Sequence, residues 1–145
     1  MRSRARVSSR VADSTRPQRG IIDTSVVIDL EAIDPTSLPF ELAVSSVTMA
    51  ELAAGPHATD DPDERARRQD RLQRAEAAFD ALPFDAESAR AYGRVFSAVA
   101  AGRKARGAAL DLLIASTACA LDLPLFTRNE EDFRGLEGIV DVRAV

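Results

Sequence analysis

Cysteine, histidine, lysine and tryptophan are almost missing from this chain, and each scarcity closes off some chemistry. One cysteine, Cys119, occurs in 145 residues, so neither an internal disulfide nor a cysteine-based zinc site can form. One histidine, His57, excludes a catalytic pair of histidines; it falls in a polar stretch and is expected to be exposed. Lys104 is the sole lysine, which leaves arginine to carry the positive charge. No apolar run approaches the roughly 18 residues of a membrane-spanning helix. There is no glycine-rich phosphate loop, no GxGxxG and no internal repeat. What remains is 46% hydrophobic and 29% charged, the balance of a globular domain with one core.

The net charge of −4 hides two unlike parts. Residues 1–20 hold six Arg and one Asp, +5, so the remainder carries −4 − 5 = −9. The opening stretch has no apolar segment of a secretory signal. It is too polar to bury surface and is expected to be a disordered basic leader over 1–19, ahead of a domain over 20–145. The acidic domain does not attract nucleic acid by bulk charge. RNA handling would need local arginines or metal ions.

Hydrophobic spacing predicts the elements. Short strands are expected at 20–23, 41–45, 82–84, 124–127 and 138–142. Helices are expected at 26–33, capped by Thr24 or Ser25, and at 47–54, capped by Ser46. A third should start at Asp61-Pro62 and run to about residue 81. A fourth covers 86–103 behind Asp85, a fifth covers 109–121, and a short turn or helix covers 129–134. Strands alternating with helices imply an α/β fold, a mainly parallel sheet of about five short strands with helices on both faces. Its site should lie beyond the carboxyl ends of the strands.

Four acids stand beside core residues. Asp23 follows two isoleucines at a strand end; Glu51 lies within VTMAELAA; Asp111 opens DLLIASTACAL; Asp132 follows the strand ending at Thr127. Each has a plain alternative: Asp23 as a helix cap, Glu51 paired with an arginine, Asp111 favoured by the helix dipole, Asp132 as loop charge. Carboxylates gathered near a core repel one another, and a hard divalent cation relieves that. Arg65, Arg67, Arg68, Arg71 and Arg74 are candidate phosphate contacts, but neighbouring acids on the same helix would pair with them.

IIDTSVVIDL, SSVTMAEL with AAG, ALDLLIASTA and LFTRNEEDF follow one another in an order and spacing that resembles PIN-domain ribonucleases, and more narrowly the VapC-type toxins of type II toxin–antitoxin modules. The resemblance spans about residues 20–142. It implies a PIN-like three-layer α/β/α fold. It also implies an endoribonuclease that cuts specific RNA by metal-activated water at a four-acid site. Asp23, Glu51, Asp111 and Asp132 would be the catalytic and metal-binding residues, with Mg²⁺ or Mn²⁺ as cofactor. Asn129, Thr24, Ser25 and Thr127 would support them, and Arg128, Arg103 and Arg106 are weak candidates for RNA contact. A VapB-like antitoxin, a homodimer, a toxin–antitoxin hetero-oligomer and a prokaryotic cytoplasmic location are implied as well, with no membrane. Val27, Leu30, Ile33 and Leu52 could line an antitoxin groove or simply be core. The rivals are a catalytically silent PIN-like RNA- or protein-binding module and a haloacid-dehalogenase-like phosphatase. The latter needs D-x-D, where this chain has Asp23-Thr24-Ser25.

Overall fold

A computed structural model describes residues 15–102 and 109–145. Most of the expected leader, together with Arg103 and Arg106, lies outside the described residues. Residues 15–19, assigned to the leader from sequence, are instead joined to the fold. Arg16 donates through Nε to the Leu38 carbonyl at 2.6 Å and lies 4.0 Å over the Phe40 ring. The Pro17 and Gln18 carbonyls accept from Phe40 N and Glu41 N.

Five short strands form one parallel sheet in the order β3-β2-β1-β4-β5. They are β1 (Arg19–Ile22), β2 (Glu41–Ser45), β3 (Ala81–Leu82), β4 (Leu125–Thr127) and β5 (Val142–Ala144). The helices are α1 (Thr24–Ile28), α2 (Ser46–Ala54), α3 (Pro62–Ala78), α4 (Ala86–Gly102) and α5 (Ala109–Leu121). The α/β fold expected from alternation is therefore observed. The order reverses at β1, which has β2 on one side and β4 on the other, so the carboxyl ends of β1 and β4 flank a topological switch point.

Side-chain alternation along the strands splits the core into two layers. Ile21, Ala43 and Leu125 face one side, against Val95 and Val99 of α4, Ile114 and Ala115 of α5, and Phe133. Their neighbours Ile22, Val44 and Phe126 face the other, against Val26 and Val27 of α1 and Ala75 of α3. Helix α2 takes part in both: Val47 packs in the first layer and Leu52 in the second.

Several boundaries move from expectation. α1 is capped by Asp23, not Thr24 or Ser25, and ends at Ile28, after which a 3-10 turn covers Leu30–Ala32. α2 is capped by Ser45, whose hydroxyl accepts from Val47 N at 3.0 Å, and it begins at Ser46. Ser45 both ends β2 and caps α2, and Asp23 directly follows β1 and caps α1, so each helix starts with no loop after its strand. α3 stops at Ala78, and β3 is Ala81–Leu82 rather than 82–84. The last strand is Val142–Ala144 rather than 138–142, because Val140 N donates to the Leu136 carbonyl and closes a turn there. His57 is exposed within a 3-10 turn, Gly55–Ala58.

Gly20 lets the second layer close. A Cβ there would sit 2.6 Å from Phe126 Cε2 and 3.0 Å from Pro39 Cγ. Phe126 is buried, so its ring has no room to turn aside. Gly20→Ala is expected to destabilise the protein by about 1–3 kcal/mol, the usual cost of overpacking, in urea unfolding. An unchanged midpoint would mean that the ring has slack.

Asp85 supplies a pH-dependent cap. Ser88 N–H donates to its Oδ1 at 2.9 Å. That backbone bond, helped by the Ser88 hydroxyl, holds the carboxyl below its ordinary 3.8. A depressed folded value means that the stabilisation is present above the unfolded pKa and is lost as pH falls through the folded one. Asp85→Asn is therefore expected to flatten the acid limb of stability below pH 3.8, measured by unfolding across pH. An unchanged limb would show that other carboxyls govern it.

Candidate active site

Asp23 stands where β1 becomes α1. Its side chain is almost wholly enclosed, at 4% exposure. Oδ1 accepts from Ser25 Oγ at 2.6 Å and from Val26 N at 3.1 Å. Both bonds fall on one oxygen, which leaves Oδ2 with no hydrogen bond to a described residue. The plain reading of Asp23 as a helix cap is thus realised, and it leaves half of the carboxylate available. The backbone N–H of Asp23 donates to the Phe126 carbonyl at 3.0 Å, which locks the junction to β4.

Two of the expected supporting hydroxyls hold that junction. Ser25 Oγ donates to Asp23 and accepts from Arg128 N at 3.1 Å, using its single proton and one lone pair. Thr127, fully buried at the end of β4, accepts from Asn129 N at 3.0 Å. They pin the loop after β4 beside Asp23.

Thr24 reaches the other way. Its Oγ1 lies 2.8 Å from Glu51 Oε1 and 3.1 Å from Thr48 Oγ1. One hydroxyl has one proton, and the charged carboxylate is the stronger acceptor. Thr24 therefore donates to Glu51, and the hydroxyl–hydroxyl contact is donated by Thr48. Thr48 is fully buried, and sequence reasoning missed it. The signal was available: Thr48 lies three residues before Glu51, on the same face of α2. Among the described residues, Glu51 bonds to Thr24 and not, as its plain alternative had it, to an arginine.

The other candidates are placed by element. Asp111 is half-buried in the first turn of α5, and α5 packs on α2 and on the 3-10 turn Glu130–Phe133. Asp132 lies in that turn, exposed, while the adjacent Phe133 is buried and anchors it. Asn129 is exposed and makes no side-chain cap to the turn. Arg128 lies 3.7 Å from Asp29 at an exposed position, a pairing of small energy. Asp23 and Glu51 are thus linked through consecutive residues of α1, while Asp111 and Asp132 sit on elements that pack together.

Among the described residues, no three His, Cys, Asp or Glu side chains form a group that could hold a metal by themselves. The donors are nonetheless carboxylate oxygens, the hard ligands that Mg²⁺ and Mn²⁺ take. Such ions keep several waters and are commonly held by one or two carboxylates plus substrate oxygens. The donor chemistry therefore fits a hydrated divalent cation and does not fit a closed protein cage.

Two cavities open beside these residues. One, of about 370 Å³, is lined by Thr24, Glu51, Leu52, Glu64, Arg68 and Arg71 among others. The second, of about 470 Å³, runs between α1 and α3 past Val27, Leu30, Ala75 and Phe79. Ile28 and Arg71 line both. Of the residues expected in an apolar groove, Val27 and Leu30 line the second cavity, while Ile33 and Leu52 are buried in the core.

A model of the PIN domain matches residues 21–138. The chain is 36% identical over 136 residues to ribonuclease VapC5 of Mycobacterium tuberculosis, covering 91% of this chain and 98% of that one. It is 28% identical over 118 residues to ribonuclease VapC of Rickettsia bellii, covering 79% and 87%. Among solved structures, VapBC-5 of the VapBC toxin–antitoxin family from Mycobacterium tuberculosis superposes with a TM-score of 0.77 at 35% identity, over 89% of this chain and 98% of that one. VapBC2 of Rickettsia felis shares the fold, with a TM-score of 0.70 at 19% identity over 88% and 98%.

The cap at Asp23 separates its structural role from any chemical one. Without metal, Asp23→Ala is expected to cost about 1 kcal/mol, as the loss of a helix cap does. Asp23→Asn keeps the acceptor oxygen and should be no less stable than the wild type. Urea unfolding of both variants checks this, and equal losses in the two would show that charge, not capping, stabilises the junction.

Proposed function

The chain belongs to the PIN-domain family and, within it, to the VapC ribonucleases; from that premise we propose which residues cut RNA and how they are held. The protein is a ribonuclease toxin of a toxin–antitoxin pair. Asp23, Glu51, Asp111 and Asp132 form the catalytic and metal-binding set. The observation that carries this is the junction at the switch point. There a buried Asp23 offers one uncommitted oxygen, and the next residue, Thr24, orients Glu51. PIN-domain ribonucleases generally need a divalent metal, and Mg²⁺ or Mn²⁺ is the ion proposed here. Bound, the ion would activate water and stabilise charge on the phosphate.

The chain's own groups set the geometry. Ser25 and Val26 fix the rotamer of Asp23. Thr24, backed by Thr48, fixes Glu51. Thr127 and Ser25 hold the loop that carries Arg128 and Asn129 beside the same edge. Arg128 is proposed to contact the RNA backbone. The cut is proposed to fall within the RNA chain, which makes the activity that of an endoribonuclease.

The partner is a VapB-like antitoxin, as in the solved complex of VapBC-5. Its seat is proposed as the cavity between α1 and α3, where Val27, Leu30 and Phe79 form an apolar floor with charged residues at the rim. The toxin is proposed to pair as a homodimer and to join antitoxin in a hetero-oligomer. No described helix is long and apolar enough to cross a membrane; cytoplasmic action on cellular RNA is the proposed setting. The basic leader is proposed to be dispensable for cutting.

The test is cleavage of total bacterial RNA by antitoxin-free protein, with new 5′ ends mapped in Mg²⁺ or Mn²⁺ and in chelator. Discrete metal-dependent cuts are expected, absent with Asp111→Asn. Wild-type cutting by that variant would remove Asp111 from the site, and cutting in chelator would remove the metal.

A further inference from the structure

Five arginines lie along α3, and four of them are committed. Arg67 and Arg68 both pair with Glu64, at 2.8 and 3.0 Å. Arg68 also donates to the Gly55 carbonyl. Arg65 donates to the carbonyls of Pro56 and Thr59. Arg74 pairs with Asp70 at 2.7 Å and reaches Glu31 at 3.4 Å. These bonds fasten α3 to the turn after α2 and to the segment after α1.

Arg71 makes no hydrogen bond or ion pair with any described residue. Yet it is half-buried, and it lines the cavity that holds Thr24 and Glu51. Its five guanidinium donors stay in reach of water, open to an incoming acceptor. Glu64, the other acid of that cavity, is already occupied by two arginines, which hold its carboxyl below the usual Glu value. The cavity therefore presents one uncommitted cation beside the acid site. The flat fork of a guanidinium matches two oxygens of a phosphate.

We propose that Arg71 is an RNA-contacting residue, donating to a backbone phosphate next to the scissile one while the acids act. The inference rests on the ribonuclease reading above and adds to it a specific positioning contact from α3. Since Arg71 also lines the cavity between α1 and α3, an antitoxin segment seated there would meet the same side chain that RNA needs.

The experiment compares full-length wild type, Arg71→Gln, Arg71→Lys and Arg90→Gln. Each is assayed across a salt series on an RNA that the wild type cuts. Arg90, paired with Glu87 on α4, controls for the loss of one charge. Arg71→Gln is expected to raise KM by roughly tenfold, the loss of a charge-assisted bond, with kcat changed far less. Its log–log dependence of kcat/KM on salt should flatten by about 0.7, one phosphate contact to a single strand. Arg71→Lys should keep the salt slope and recover part of the KM. Melting temperatures with and without Mn²⁺ are read in parallel. If Arg71→Gln matches Arg90→Gln in KM and salt slope, the proposal fails. If it changes only the Mn²⁺-induced melting shift, Arg71 instead balances the charge of Glu51, and the proposal also fails. A wild type that cuts no RNA defeats the ribonuclease reading itself, and the proposal with it.

Discussion

The structure turns on a carboxylate enclosed at the end of a central strand. A buried carboxylate without partners would be costly, so the chain around Asp23 is arranged to receive it. One oxygen caps α1 and takes the Ser25 hydroxyl, and the backbone of the same residue is stitched to β4. The short strands, the small Gly20 beneath Phe126 and the helix packed on each face hold that junction in place. The other oxygen makes no hydrogen bond to a described residue.

From this junction the bonds run in two directions. Ser25 and Thr127 order the loop after β4, and Thr24 with Thr48 orders Glu51 on α2. The pattern uses hydroxyls, which can both donate and accept, to hold charged groups that can only accept. It also explains why the donors are not a closed cage. Each acid is positioned by its own element, and in the proposed site the remaining coordination would fall to water and substrate, as suits a small hard cation. Along α3, the ion pairs that tie the helix down leave Arg71 facing the same cavity, so the packing and the electrostatics of RNA contact come from one helix.

Much of this was legible in the sequence. Apolar runs two to five residues long, separated by capped helices, identified the parallel α/β sheet, and Asp23, Glu51, Asp111 and Asp132 stood out as acids among core residues. The caps fell one or two residues earlier than Thr24, Ser25 and Ser46 because Ser45 serves strand and helix at once and Asp23 follows β1 with no loop between, whereas spacing alone leaves room for a separate capping residue. The last strand came later than expected because GIVDV reads equally well as a strand or as a buried turn leading into one. Thr48 escaped notice because a hydroxyl within an apolar helix carries no charge to mark it. The freedom of Arg71 was not legible at all. Five arginines at similar distances from acids look alike until side-chain packing decides which pairs form.

Asp23 and Glu51 are proposed to belong to one divalent-cation site. Its most direct test is the melting temperature of metal-free protein titrated with Mn²⁺, in the wild type, Asp23→Asn and Glu51→Gln. A cation that binds only the folded state must raise the melting temperature as its concentration rises. A saturable rise is expected in the wild type and is lost or much weakened in both variants. A flat wild-type titration, or an equal rise in Asp23→Asn, would contradict it.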